Sequence, residues 1–284
     1  MKKEILYNKK SREELQAELQ DETFIRKTFS FYRYINIAQP EVLRNELYRS
    51  WSNLNIFGRI YISTEGINAQ GSCPEKNWDE LIENLDSNDT LKEMPLKIAI
   101  EDGESFYKLK IKVKDEIVAY NVGDEEYNMN EVGDHLSAEE FNKKMAQDNT
   151  LVVDMRNYYE SEVGRFENAI IPDVDTSREL LPEVRKLLKG HEEDEVLLYC
   201  TGGIRCEKAS SYLIHSGFKY VNQLHGGIIQ YAHDVKTKGL TSKFIGKNFV
   251  FDARMGERVT NDIIGKCHQC GNPADRHLDC GNDA

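Results

Sequence analysis

Apolar positions follow two rhythms along this chain. Between Thr23 and Ile37, aromatic and β-branched residues (Phe24, Thr28, Phe29, Phe31, Tyr32, Tyr34, Ile35) mark a strand. Pro40 suits the first turn of a helix reaching about Asn53, with Val42, Leu43, Leu47 and Trp51 on one face. Two short strands, Arg59–Ser63 and Ile67–Ala69, meet at the corner Thr64-Glu65-Gly66. Pro74–Leu85 is predicted as a second helix, and Leu96–Ile100 and Tyr107–Tyr120 as strands. The order βαββα followed by strands predicts a small ferredoxin-like α+β domain over residues 22–120. Residues 1–21 ahead of it are charged and helix-prone, and Ser11-Arg-Glu-Glu14 reads as a capping box.

Residues 121–133 are acidic and contain glycine, as a linker would. The second rhythm begins after them. Ser137-Ala-Glu-Glu140 opens a helix as another capping box. Leu151-Val-Val-Asp-Met155 is a continuous apolar run, the pattern of a central parallel strand. Helix is predicted at Glu183–Lys189, strand at Val196–Tyr199, helix at Ile204–His215, strand before Leu224 and helix from Gly227 to about Val235. Such alternation predicts an α/β domain over residues 134–236, a parallel sheet with helices on both faces. Residues 237–284 form a basic and aromatic segment and a cysteine-containing tail.

At 284 residues and 39% hydrophobic content, with 14 Tyr and 11 Phe, the chain can build two cores. No apolar run approaches the roughly 20 residues of a membrane span, and no apolar stretch follows the lysines of Met1-Lys2-Lys3. Six cysteines, several spaced as C-x-x-C or flanking a glycine loop, suit a reducing compartment. These features predict a cytoplasmic protein without a membrane segment. A net charge of −12 argues against non-specific coating of nucleic acid. Lys236, Lys238, Lys243, Lys247, Arg254 and Arg258, interleaved with Phe244, Phe249 and Phe251, are still a local patch able to meet phosphates and bases. The same residues also fit a solvated connector whose aromatics cap a core.

Candidate chemistry centres on Leu197-Leu-Tyr-Cys200-Thr201-Gly202-Gly203-Ile204-Arg205-Cys206. A buried strand delivers a thiol into a glycine turn ahead of a helix N-terminus, where backbone N–H groups and the helix dipole favour an anion. Cys200 is therefore the candidate thiolate nucleophile. Four residues separate Cys200 from Arg205, giving a tight cradle for a small group. Arg205 can hold an anion or lower the thiol pKa, and Cys206 can pair with Cys200 or serve as a second thiolate. Asp154, Arg156 and Glu160, at and just beyond a strand end, can brace one another and the loop. Glu65 and Asn68 can face a ligand or satisfy turn backbone. At the C-terminus, Cys267, Cys270, His277 and Cys280 offer four zinc-type donors or stand as free side chains. No G-x-G-x-x-G fingerprint and no two-His-one-carboxylate iron motif is present, so an organic cofactor is not identified.

The loop Cys200–Arg205 resembles the six-residue active loop of a rhodanese domain. The pattern Asp154-x-Arg156, Glu160, Gly164-x-Phe166, Ala169 and Leu224-His-Gly-Gly227 is similar to that fold's framework. Gly58–Gly71 resembles an acylphosphatase-like element. Together with Phe249-Val-Phe-Asp252-x-Arg254 and the cysteines behind it, the assembly looks like the rhodanese-related tRNA uridine hydroxylases. That resemblance implies 5-hydroxylation of the wobble uridine of tRNA with molecular oxygen as co-substrate and Cys200 as the essential thiol. Glu65 and Asn68 of the turn cluster, with Lys243, Lys247 and Arg254 of the basic and aromatic patch, are the candidates for RNA contact. The family's tail usually continues with further cysteines, whereas this sequence ends at Gly281-Asn-Asp-Ala284, which would leave a zinc site incomplete. The competing readings are a sulfurtransferase carrying a persulfide on Cys200, and a catalytically silent RNA-binding or scaffold module.

Overall fold

A computed structural model describes residues 6–277. The chain divides into two compact units, Met1–Ala119 and Tyr120–Ala284. Among the described residues no helix is long and apolar enough to cross a membrane.

In the first unit, α1 (Arg12–Gln20) starts at the expected capping box, with Ser11 Oγ accepting from Glu14 N–H and the Glu14 carboxylate accepting from Ser11 N–H. The unit continues with β1 (Arg26–Tyr34), α2 (Pro40–Asn53), β2 (Phe57–Ser63), β3 (Gly66–Pro74), α3 (Trp78–Asp86), β4 (Lys97–Ile98) and β5 (Leu109–Val113). Strand order is β4-β1-β3-β2-β5. The first four strands pair antiparallel in the expected ferredoxin-like arrangement, and β5 adds a parallel edge beside β2. The packing follows the alternation of β1. Phe29 and Phe31 turn inward, and both rings meet Trp51 of α2 edge-on at 6.2 and 6.3 Å. Full burial of each such ring contributes roughly 1.5–3 kcal/mol.

The strand predicted over residues 107–120 is confined to Leu109–Val113. Its ladder ends where Lys114 N–H donates to Ile62 O, and the chain then turns so that Ile117 N–H reaches the Glu65 carboxylate. At the β2–β3 corner, Gly66 has φ +151°, and a Cβ there would lie 2.1 Å from Arg33 O.

The second unit runs β6 (Asp134–Leu136), α4 (Ala138–Met145), β7 (Thr150–Asp154), α5 (Tyr158–Ser161), β8 (Gly164–Phe166), α6 (Ser177–Leu187), β9 (Glu195–Tyr199), α7 (Ile204–His215), β10 (Tyr220–Leu224), α8 (Gly227–Lys238), β11 (Phe244–Asn248) and β12 (Glu257–Arg258). Strands β6-β10-β9-β7 form the expected all-parallel sheet. A smaller antiparallel sheet, β12-β11-β8, ties the segment after α8 to the rest. Phe166 is its hub: rings of Phe141, Tyr199, Tyr231 and Phe244 lie 4.7–5.4 Å away. The helix predicted from Glu183 begins six residues earlier, at Ser177. Pro182 favours the later start on sequence grounds. It is the sixth residue of the helix, where its missing N–H costs one bond, and Thr176 with Glu179 supplies the cap.

Candidate active site: an enclosed thiol on a braced loop

Strand β9 ends at Tyr199, and the chain turns through Cys200–Gly203 into α7. The turn wraps the sulfur with donors. Gly203 N–H donates to Cys200 Sγ at 3.1 Å, and Cys200 is only 1% exposed. Burial by itself raises the thiol pKa. The Cys206 thiol hydrogen bond, the Arg205 charge and the Cys206 and Arg205 N–H groups outweigh it and hold the pKa at about 6. Cys206 moves the opposite way, its pKa raised by burial and by the neighbouring Cys200 sulfur. The pair thus divides one proton in favour of Cys206. We expect the thiolate absorbance difference between wild type and Cys200→Ser to titrate with a midpoint near 6. In Cys206→Ala the largest lowering influence is gone and the midpoint should rise; an unmoved midpoint would remove Cys206 from this role.

Arg205 sits in the first turn of α7. Its Nη1 and Nη2 donate to Glu160 Oε1 and Oε2 at 2.6 and 2.9 Å, a bidentate pair in which Glu160 is fully buried. Nη2 also reaches Thr201 Oγ1 at 3.3 Å, and the Arg205 carbonyl accepts from Tyr120 Oη at 3.0 Å. The guanidinium is therefore held by a carboxylate of the protein, and its charge acts on the sulfur from there.

A second buried pair stands behind the first. Asp154 accepts from Arg156 Nε at 2.8 Å and Nη2 at 2.6 Å, from Ser161 Oγ at 2.8 Å and from Tyr199 Oη at 2.6 Å. Asp154 and Arg156 are both fully buried. The two pairs fix both ends of α5: Asn157 N–H donates to Glu160 Oε1, and Arg156 Nη2 donates to Gly164 O.

From the other side, α8 clamps the loop backbone. Ile228 and Ile229 N–H donate to the carbonyls of Cys200 and Thr201 at 2.9 and 3.1 Å. Gly227 makes that approach possible. Its φ is +67°, and a Cβ would lie 2.6 Å from Cys200 O and 2.7 Å from Thr201 O. Gly227→Ala should therefore push the loop off α8 and cost roughly 1–3 kcal/mol, read as a lowered denaturation midpoint. Gly202, by contrast, has open space around its Cα, so the crest of the loop is unhindered on that side.

The remaining candidates have partners of their own. Glu65 accepts from Ile117 N–H at 2.7 Å, and Asn68 Nδ2 donates to Ile117 O at 3.4 Å, so both engage the backbone that follows β5. Lys243 pairs with Glu167, Lys247 with Asp275, and Arg254 with both Asp252 and Glu257. Cys267 and Cys270 stay together on one turn, where the Cys270 N–H lowers the Cys267 pKa. The His277 ring packs edge-on against Phe249 at 5.0 Å. Among the described residues, no three His, Cys, Asp or Glu side chains gather as a metal site, and Cys280 lies outside them.

Sequence reasoning missed Tyr120, Tyr199 and Ser161 as supports of the site. Tyr199 had a signal, since it precedes Cys200 on a buried strand yet carries a hydroxyl that needs a partner. Tyr120, 85 residues from Arg205, had none.

A parallel sheet that presents a low-pKa thiol in a six-residue loop at a helix N-terminus defines a rhodanese-like domain, and residues 137–234 match the family described by that name. Residues 26–117 match a "UPF0176 acylphosphatase like domain" and residues 245–284 a "Rhodanase C-terminal" region. Over 282 residues the chain is 54% identical to a protein named tRNA uridine(34) hydroxylase from Leptospira interrogans, covering 99% of this chain and 77% of that one. A protein of the same name from Photorhabdus laumondii is 48% identical over 98% of this chain and 80% of its own. The chain belongs to the tRNA uridine(34) hydroxylase family.

Proposed function

We propose that this protein hydroxylates C5 of uridine 34 in tRNA, in the cytoplasm, with Cys200 as the catalytic nucleophile. The observation that carries this reading is the 54% identity, over nearly the whole chain, to a relative bearing that name. The enclosed thiol with its pKa near 6 supplies a mechanism. Cys200 thiolate adds to C6 of the uracil ring, and the displaced electron pair makes C5 nucleophilic. C5 attacks an electrophilic oxygen HO–X at the hydroperoxide level, forming C–O while O–X breaks and X leaves with the bonding pair. Loss of the C5 proton then expels the Cys200 sulfur and restores the ring. Molecular oxygen is the source this reading calls for; an external two-electron donor of the hydride or dithiol class, with two protons, reduces it to the hydroperoxide HO–X before it meets C5, and the donor leaves oxidised.

Arg205 holds the thiolate electrostatically, and Cys206 keeps the shared proton off it. Thr201, Gly202 and Gly203 form the loop, and Glu160, Asp154 and Arg156 position it. Because the sulfur is enclosed, this reading requires the loop to open before the base can reach it.

The test is nucleoside mass spectrometry of tRNA from cells lacking the protein, complemented with wild type or Cys200→Ala. Loss of 5-hydroxyuridine derivatives restored by wild type alone supports the reading. Persistence of those nucleosides together with loss of thiolated ones would replace it with sulfur transfer.

A further inference from the structure

The N-terminal sheet has a face that the thiol chemistry leaves unexplained. Since Phe29, Phe31, Ile60, Ile62, Ala69, Leu109 and Ile111 are buried on the helix side, strand alternation turns their neighbours the other way. The register assembles those neighbours into two adjacent rows across four strands. One row reads Tyr32, Asn68, Tyr61, Lys112; the other reads Ser30, Gln70, Arg59, Lys110, with Lys97 beyond Ser30.

Neither row contains a carboxylate. Arg59, Lys110 and Lys112 are exposed, and Tyr32, Tyr61, Asn68 and Gln70 are half-exposed. Cations already sit on the rings, Lys97 Nζ 4.7 Å from the Tyr32 centroid and Lys114 Nζ 5.9 Å from that of Tyr61. On a chain of net charge −12, these two rows carry four cations and no carboxylate. Aromatic rings stack on unpaired bases, side-chain amides read base edges, and flanking cations meet phosphates. Tyr32 and Tyr61 stand two strands apart, about 10 Å, with Asn68 between them donating its Nδ2 to Ile117 O, so that Gln70 of the adjacent row is the amide placed to meet a base edge.

We propose that the open face of β1-β3-β2-β5 is a stacking platform for unpaired nucleotides of the substrate tRNA. This rests on the hydroxylase reading for the identity of the RNA. Charge complementarity and the two rings with the Gln70 amide beside them commit the surface to single-stranded RNA. An acidic peptide would use the cations and leave the paired rings and that amide without a role.

The experiment uses the full chain and a tRNA transcript with uridine at position 34. Binding is followed by fluorescence anisotropy across a salt series, ultraviolet cross-links are mapped by peptide mass spectrometry, and 5-hydroxyuridine is quantified in parallel. Tyr61→Ala and Tyr32→Ala should each weaken binding roughly 5- to 150-fold, while Tyr61→Phe stays near wild type. Lys110→Ala with Lys112→Ala should reduce the salt slope by about one for every phosphate that the removed lysines neutralise. Cross-links should fall in residues 30–34, 59–61 and 110–114. Wild-type affinity in all these variants, or cross-links confined to other segments, would overturn the platform while leaving the hydroxylase reading intact. Binding through this face without 5-hydroxyuridine in any reconstitution or cell would sink the hydroxylase reading and keep the platform. If the wild-type chain binds no tRNA, both fall.

Discussion

Cys200→Ala should lower 5-hydroxyuridine formation by about three orders of magnitude or more, to background, while leaving the protein folded. The expectation follows from what the loop is built around. Four influences, the Cys206 thiol, the Arg205 charge and two backbone N–H groups, converge on one sulfur to overcome its burial. Once the sulfur is an alanine methyl, they have no anion to stabilise. Cys200→Ser should fail nearly as badly, because a hydroxyl in the same place stays protonated and cannot add to C6. The measurement is product formed per enzyme under single-turnover conditions, with a thermal melt to confirm that each variant is folded.

The pH dependence has a definite sign. Cys200 is an acid whose folded pKa, about 6, lies below the ordinary thiol value, so the thiolate is present above pH 6 and is lost as pH falls through it. Activity should collapse on the acid side of that midpoint. A Cys200→Ala enzyme that still makes product would move the chemistry to another group altogether.

Much of this architecture was legible in the chain because local physics and tertiary structure agree there. The capping boxes at Ser11 and Ser137 and the apolar run ending at Cys200 each announce one element and nothing else. The lowered pKa of the thiol was legible for the same reason, since the N–H groups of a turn ahead of a helix favour an anion at that place.

What could not be read depends on groups distant in sequence. Nothing in the neighbourhood of Tyr120 says that its hydroxyl meets the Arg205 carbonyl, and nothing near Lys243 or Lys247 says that the distant carboxylates of Glu167 and Asp275 hold them. Arg205 shows the ambiguity most clearly. An arginine at the end of a cysteine loop can face a substrate anion or a protein carboxylate, and only the position of Glu160 decides which. The basic rows of the N-terminal sheet were hidden too, because Arg59, Lys97, Lys110 and Lys112 come from three strands and become neighbours only through register.

The largest expected loss of stability comes from the pair behind the loop. In Asp154→Ala, the Arg156 guanidinium remains fully buried and loses the carboxylate that receives its Nε and one Nη. Tyr199 Oη and Ser161 Oγ lose an acceptor in the same step. Breaking a buried pair from one side costs roughly 3–5 kcal/mol, a large share of a domain's typical 5–15 kcal/mol. The melting temperature should fall by roughly 6–20 °C. Asp154→Asn should also be damaging, because its amide NH2 faces groups that are themselves donors.

The double variant Asp154→Leu with Arg156→Met separates the cost of an orphaned charge from that of poorer packing. Removing both charges should recover most of the melting temperature, since well-packed apolar residues often match a buried ion pair. Activity need not return with it. The apolar pair cannot hold Gly164 O or orient Tyr199 Oη beneath the loop, as Arg156 and Asp154 do. Recovery of stability without turnover would assign these two residues to positioning the loop, and recovery of both would reduce them to folding alone.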